Sequence, residues 1–246
     1  MSTDFAWEEW GRRDPYFGVI TDPKFRRPGI NASLRREFFE SGESHVRHVM
    51  ATIRQYVDPQ FAPRAVMDFG CGVGRLLVAF SKMAQEVTGV DVSQSMLQEA
   101  RRNCVEHQLQ NVHLLPSDDV LSTLSGSFDL IHSCIVFQHI PVERGRAIFA
   151  KLIQHLRPGG VGAVQLTYSK SIFGSTYGVA PHAVPSTVGG APASPGNADP
   201  EIQMNPYNIN EILFLLQLNG IRRFHNEFTD HGGELGVFVF FQRPIE

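Results

Sequence analysis

Residues 66–80 read VMDFGCGVGRLLVAF, with Gly70, Gly72 and Gly74 at alternate positions behind the acid Asp68. An apolar run leads in and an apolar-periodic stretch leads out, which predicts a strand, a tight glycine turn and a helix. Glycines in such a turn let the chain fold sharply and let a ligand come close to the backbone. The helix beyond supplies N–H donors at its start. A pyrophosphate-binding turn is spaced G-x-G-x-x-G. Here the third glycine comes one position early, and Arg75 takes the sixth place, where that pattern needs a small residue. Asp68 would repel a pyrophosphate and attract a cationic or amino-bearing ligand. Seventeen residues past Gly74, Asp91 ends the run VTGVD, where a carboxylate can accept hydrogen bonds from two ribose hydroxyls. Ser93, just after it, is a candidate helix N-cap. A third acid, Asp118, follows in VHLLPSDD.

Two histidines are candidate general bases, because imidazole titrates near neutral pH. His139 stands in VFQHIP and His231 in TDHGG. Asp230 could orient His231 or bind a metal, but two residues are too few for a metal site, and no metal is expected. The aromatic residues Trp7, Trp10, Tyr16, Phe17, Tyr168, Phe173, Tyr177 and Tyr207 could line a pocket or simply pack. Of these, Tyr16, Phe17, Tyr168, Tyr177 and Tyr207 are the candidates for contact with a second substrate. Arg12, Arg13, Arg26 and Arg27 are read as solvated, although one could meet an acidic substrate.

Strand patterns at 65–69, 87–91, 112–115, 128–133 and 161–166 must position these groups, with helices near 74–85, 94–108 and 142–156 between them. Such alternation means parallel strands, right-handed crossovers and a doubly wound sheet. In an open sheet of this kind ligands bind beyond the carboxyl ends of the strands. Asp68, Asp91, Asp118 and His139 all fall there. A helix at 208–219 and two strands, 221–229 and 235–243, end the chain; DHGG between the strands predicts an antiparallel hairpin. Upstream, residues 1–30 read as loop-rich with short helical pieces, and 31–57 as one amphipathic helix. Residues 1–60 are therefore expected to form an aromatic, partly helical cap on a domain of residues 61–246. The Gly/Pro-rich segment 170–206 is expected to be a lid.

The chain has 246 residues, with 42% hydrophobic and 19% charged, which calls for a packed core. Its net charge is −3, and residues 1–60 carry nine acids and nine bases, so there is no basic arm. No nucleic-acid or membrane partner is expected. No apolar run reaches the roughly 18 residues needed to span a bilayer, and MSTDFAWEEW lacks a signal-like apolar stretch. Cys71, Cys104 and Cys134 are odd in number and widely spaced, which fits a reducing, cytoplasmic setting.

The runs DFGCGVG, GVDVSQSML, PSDD, FDLIHSCIVFQHIP and LRPGG together resemble the class I S-adenosylmethionine-dependent methyltransferases. The resemblance covers roughly residues 60–170 and, more weakly, the last helix and hairpin. It implies a Rossmann-like seven-stranded α/β sheet whose last strand inserts antiparallel between the fifth and sixth. It implies S-adenosyl-L-methionine as cofactor and S-adenosyl-L-homocysteine as product. Carried over by position, Gly70, Cys71, Gly72 and Gly74 would border the methionine and ribose parts, and Asp68 the ammonium end. Asp91 would bind the ribose hydroxyls, with Val92 and Met96 beside it. Asp118 would meet the adenine amino group, with Ser117 or Asp119 as alternatives. Ser133 is a further cofactor contact, and Gly42, in FFESGESHV, would approach the methionine tail. The activity implied is methyl transfer to a small-molecule acceptor, with an oxygen of a sugar or natural product favoured, and with His139 or His231 as base. MNPYN at 204–208 does not stand where the (D/N)-P-P-(Y/F) box of amino-methylating enzymes belongs, so it reads as a loop-to-helix entry. A non-catalytic cofactor-binding module is the main alternative. A nicotinamide oxidoreductase is disfavoured by the early third glycine and by Asp68. A homodimer is left open.

Overall fold

The computed structural model describes residues 2–170, 199–200, 202–230 and 234–245. The helices are α1 (Thr3–Arg13), α2 (Pro15–Val19), α3 (Ala32–Tyr56), α4 (Arg75–Phe80), α5 (Gln94–Glu106), α6 (Val142–Gln154) and α7 (Ile209–Leu218). The strands are β1 (Ala65–Phe69), β2 (Glu86–Asp91), β3 (Val112–Pro116), β4 (Phe128–Ser133), β5 (Leu156–Lys170), β6 (Arg223–Asp230) and β7 (Glu234–Gln242). Single 3₁₀ turns stand at Pro23–Phe25 and Phe137–His139.

The seven strands form one sheet in the order β3-β2-β1-β4-β5-β7-β6. The first five are mutually parallel, and β7 runs antiparallel between β5 and β6. This is the expected Rossmann-like α/β sheet. Alternation along β1 explains its two layers. Ala65, Met67 and Phe69 enter a core with α6 and α7, whereas Val66 enters a core with α3, α4 and Leu97 of α5. Asp68 shares the second face, beneath α3.

Three local outcomes differ from the sequence expectation. The segment 1–30 is mostly helical: Ser2 caps α1 by accepting from the Phe5 N–H, and Asp4 adds an acid to its first turn. The helix after the glycine turn is only six residues long. RPGG at 157–160 lies inside β5, where the register against β4 shifts, although the preceding helix does end at Gln154. The helix α3 supplies Val46, Val49, Met50 and Ile53 to the sheet's own core. A third core, built on Trp10, Tyr16, Phe25, Phe38 and Met96, ties the first 30 residues to α3 and α5. No helix among the described residues is long and apolar enough to cross a membrane.

Candidate active site

A cavity of about 1160 Å³ lies at the carboxyl ends of β1, β2, β4 and β5, beneath α1. The glycine turn forms its floor. Gly70, Gly72 and Gly74 all have positive φ, at 76°, 52° and 84°, a region that side-chain-bearing residues rarely enter. Gly70 and Gly72 line the cavity with Asp68, Cys71 and Arg75. Gly74 instead caps α4, and a Cβ there would touch Ala100 and Leu77 at 3.5 Å, so its task is helix packing.

Asp91 is buried at the tip of β2. Its carboxylate accepts from the Gly72 N–H at 2.8 Å and the Ser93 N–H at 2.9 Å. Burial pushes its pKa up to about 6, the backbone donors pull it down, and nearby Asp68 raises it further. No cation neutralises it among the described residues, so it is suited to accepting two neutral hydroxyl donors. Val92, Met96, Ser117 and Asp118 continue the wall.

The acid Asp118 also closes its own loop, accepting from Ser122 Oγ at 2.5 Å and from the Val120 and Ser122 N–H groups. These bonds hold its pKa below the ordinary carboxylate value.

The far end of the turn presents opposite charges side by side. Asp68 is buried and receives a hydrogen bond from His132 at 2.7 Å. Arg75 reaches Ser41 Oγ at 3.2 Å through one terminal nitrogen, while its buried Nε lacks a protein partner. A carboxylate facing a guanidinium with an unused donor is a matched pair for a zwitterionic amino-acid group. Sequence reasoning noted Arg75 only as too large for a pyrophosphate turn.

The opposite wall carries His139. Its Nδ1 lies 2.9 Å from the Gln203 carbonyl oxygen, and its Nε2 lies 3.4 Å from Gln138 Nε2. Thr167 Oγ1 donates to Gln138 Oε1 at 2.6 Å, which turns the Gln138 amide nitrogen toward the imidazole. This network gives His139 a proton on Nδ1 and an acceptor lone pair on Nε2. Trp7 from α1 lies against the ring, with centroids 4.9 Å apart. Ile135, Thr167, Ile202 and Met204 complete a largely apolar wall there.

The roof is α1, held at both ends. Glu8 accepts from Ser93 Oγ, Ser95 Oγ and the Ser95 N–H at 2.6–3.1 Å, clamping α1 to the start of α5. Burial works to raise the Glu8 pKa, but these bonds outweigh it and lower it. Across the cavity, Thr3 Oγ1 donates to the His139 carbonyl at 2.6 Å, and Asp4 accepts two bonds from Arg144 at 2.7 and 2.9 Å.

Several expected site residues stand elsewhere. Gly42 packs against Arg75, where a Cβ would sit 2.5 Å from the Arg75 carbonyl, and it lies outside the cavity lining. Ser133 is buried and donates to the Phe69 carbonyl, tying β4 to β1. Asp119 accepts from Arg144 Nε at 2.6 Å and is likewise outside the lining. Of the proposed second-substrate contacts among the described residues, only Phe17 lines the cavity. Tyr16 is buried in the third core, bonded to Asn103 and Glu99. Tyr207 is buried and donates to the Ile140 carbonyl at 2.9 Å, and Tyr168 packs on Phe228. His231, Tyr177, Phe173 and most of the segment 170–206 lie outside the described residues. Among the residues that sequence reasoning did not assign to the site are Arg75, Gln138, Thr167 and Arg144. A polar residue inside an apolar strand was the available signal for Thr167, and adjacency to His139 the signal for Gln138.

Residues 66–160 match the family model described as a methyltransferase domain. Trans-aconitate 2-methyltransferase of Deinococcus radiodurans is 33% identical over 138 residues, which are 55% of this chain and 48% of that protein. Ubiquinone biosynthesis O-methyltransferase of Nitrosococcus oceani is 28% identical over 125 residues, 49% of this chain and 52% of that protein. The chain thus spans about half the length of these curated relatives. Magnesium protoporphyrin IX methyltransferase of Synechocystis, solved with bound S-adenosylhomocysteine, superposes with a TM-score of 0.62 at 18% identity, covering 97% of this chain and 94% of that one. The N-methyltransferase NodS of Bradyrhizobium japonicum, also solved with that nucleoside, gives 0.60 at 14% identity, covering 99% and 100%. At these identities the structures speak for the fold. Residues 66–160 thus match a methyltransferase domain, and the strand order described above is carried on a fold shared with these solved S-adenosylmethionine-dependent methyltransferases.

Proposed function

We propose that this protein transfers a methyl group from S-adenosylmethionine to a hydroxyl oxygen of a small, largely apolar acceptor, such as a natural product or a sugar derivative. The observation that carries this reading is the hydrogen-bonded order Thr167–Gln138–His139–Gln203, which aims an imidazole acceptor nitrogen from a cavity wall. The cavity, at about 1160 Å³, exceeds what one drug-sized ligand occupies and leaves room for an acceptor beside a nucleoside.

In this reading Asp91 accepts the ribose hydroxyls. Gly70 and Gly72 let the backbone lie against the ligand, Ser117 and Asp118 lie toward the base, and Asp68 and Arg75 receive the amino-acid end. The cofactor supplies an electrophilic methyl on a sulfonium, and the leaving group is neutral. The chain's own task is therefore alignment, which can contribute on the order of 7–11 kcal/mol, together with removal of the hydroxyl proton. His139 Nε2 takes that proton as the acceptor hydroxyl replaces the long 3.4 Å contact from the Gln138 amide, and Nδ1–H on the Gln203 carbonyl fixes the tautomer and steadies the imidazolium that results. Trp7 and Met204 shield the reacting atoms from water.

The cations near the cavity favour a neutral acceptor over a carboxylate. Arg144 is engaged by Asp4 and Asp119, and Arg26 by Asp14 and Asp199. Arg75 is assigned to the cofactor's own carboxylate.

The test is formation of S-adenosylhomocysteine with a panel of phenols, sugars, carboxylic acids and amines. Turnover is expected with hydroxyl acceptors. His139→Gln should lower kcat by roughly 10²–10⁴-fold with little change in cofactor affinity. Turnover confined to carboxylates, or undiminished in His139→Gln, overturns the base assignment. Tight nucleoside binding without turnover on any acceptor would favour a binding module instead.

A further inference from the structure

Behind the cofactor end of the cavity stands a polar chain that the reaction above does not use. His132, at position five of β4, is fully buried between the apolar rings of Phe80 and Phe238. Its Nδ1 lies 2.7 Å from Asp68 Oδ1, and its Nε2 lies 2.9 Å from His45 Nε2 on α3. With one proton per ring, a single order satisfies all the contacts. His45 Nε2–H donates to His132 Nε2, and His132 Nδ1–H donates to Asp68 Oδ1. Among the described residues no protein donor reaches the second Asp68 oxygen, and Asp68 lines the cavity.

Folding alone gives no reason for this arrangement. A carboxylate and two imidazoles inside an apolar layer cost desolvation that a Leu or Phe at position 132 would avoid. The geometry does have one directional consequence. His132 occupies one Asp68 oxygen and fixes the carboxylate plane, which leaves the other oxygen presented to the cavity. We propose that His132, backed by His45, is a positioning residue that orients Asp68 toward the amino group of the cofactor's amino-acid end. This rests on the cofactor reading of the cavity.

The backing is geometric as well. His45 stands on the sheet-facing side of α3 next to Phe238, one turn from Gly42, where α3 presses on the Arg75 carbonyl. The same helix therefore supports both halves of the zwitterion site, Asp68 through two rings and Arg75 directly. Burial first, then His132 and Arg75, depress the His45 pKa to about 2. A neutral His45 is the state that donates from Nε2 without adding a charge behind Asp68.

The experiment compares two nucleosides by calorimetric titration on the full chain. S-adenosylhomocysteine carries the amino-acid end, and methylthioadenosine lacks it. His132→Leu removes the donor to Asp68, whereas His132→Asn keeps an amide N–H near the Nδ1 position. His132→Leu is expected to weaken S-adenosylhomocysteine roughly tenfold or more while leaving methylthioadenosine within about twofold, and His132→Asn is expected to restore most of the loss. In an Asp68→Asn background, His132→Leu should add nothing further to the loss for S-adenosylhomocysteine. Equal losses for both nucleosides, equal losses in Leu and Asn variants, or no loss at all overturns the proposal. Should His132→Leu not fold, long-range ¹⁵N–¹H spectra of the unmodified protein decide. A proton on Nε2 of His132 in place of Nδ1, or His132 ring signals unmoved by S-adenosylhomocysteine, overturns it. Failure of the unmodified protein to bind either nucleoside removes the cofactor reading and this inference together, whereas binding without the selective loss removes only the inference.

Discussion

At the residue scale, Asp91 combines burial with two backbone donors, and the balance leaves its pKa near 6, well above the ordinary 3.8. Two pH effects follow. Between those values the folded protein holds the proton more tightly than the unfolded chain. This residue's contribution therefore favours folding at low pH and is lost as pH rises through about 6. Ribose hydroxyls donate to the ionised form, so affinity for S-adenosylhomocysteine should fall below pH 6, by up to about tenfold per pH unit. Calorimetric titration at pH 5, 6 and 7 checks this. Asp91→Asn should bind weakly at every pH and lose the dependence, and a flat profile in the unmodified protein would show that the carboxylate does not meet the ligand. The position of Asp91 was legible in the sequence, because an acid that closes an apolar strand run falls at the strand's carboxyl end. Arg75 and His132 were not. A lone arginine in a helix and a histidine in an apolar strand acquire meaning only when β1, β4 and α3 are stacked.

At the scale of elements, α1 is fixed to α5 by very close approach. A Cβ on Gly11 would lie 2.7 Å from Ser93 Oγ and 2.9 Å from the Met96 nitrogen. Gly11→Ala should therefore push α1 away, at a cost of about 1–3 kcal/mol, and thermal unfolding should show a lower Tm. The Glu8 clamp acts at the same junction. Glu8→Gln keeps most of the size but loses charge-assisted bonds to two serines. It should weaken nucleoside binding more than it lowers Tm, because Ser93 and Asp91 are two residues apart at the cavity edge. Unchanged binding in this variant would mean that α1 docks independently of the site. The strand positions were readable from apolar runs, and the antiparallel β6–β7 pair from its turn residues. The roof helix was not. Pro15, Pro23 and Pro28 and the scattered aromatics in residues 1–30 mask a periodicity that tertiary packing of Trp10 against α5 brings out. Tyr16 and Tyr207 were ambiguous for the same reason. An aromatic residue with a hydroxyl reads equally well as pocket or core, and the buried bond of Tyr207 to the Ile140 carbonyl decides for core.

Across the whole molecule, the cavity is enclosed by parts far apart in sequence: the glycine turn, the tip of β2, the His139 turn, and a roof pinned by Asp4–Arg144 and Thr3–His139. Nucleoside binding should therefore consolidate the roof. Saturating S-adenosylhomocysteine, at about 100 times Kd, should stabilise the fold by about 2.7 kcal/mol. It should also slow amide hydrogen exchange in residues 3–13 more than in α7, none of whose residues lines the cavity. Uniform slowing across the chain would argue that the roof does not respond to occupancy.

The way α1 spans the site has a consequence for traffic. One helix touches both the end that receives the nucleoside and the end that carries Trp7 and His139. If that helix must swing aside, both spent materials leave by a single doorway, and fresh reactants enter by it. The pace of cycling would then be set by how often the doorway opens, and thickening the solvent with sucrose would slow steady-state turnover while leaving the first, pre-loaded round of chemistry untouched.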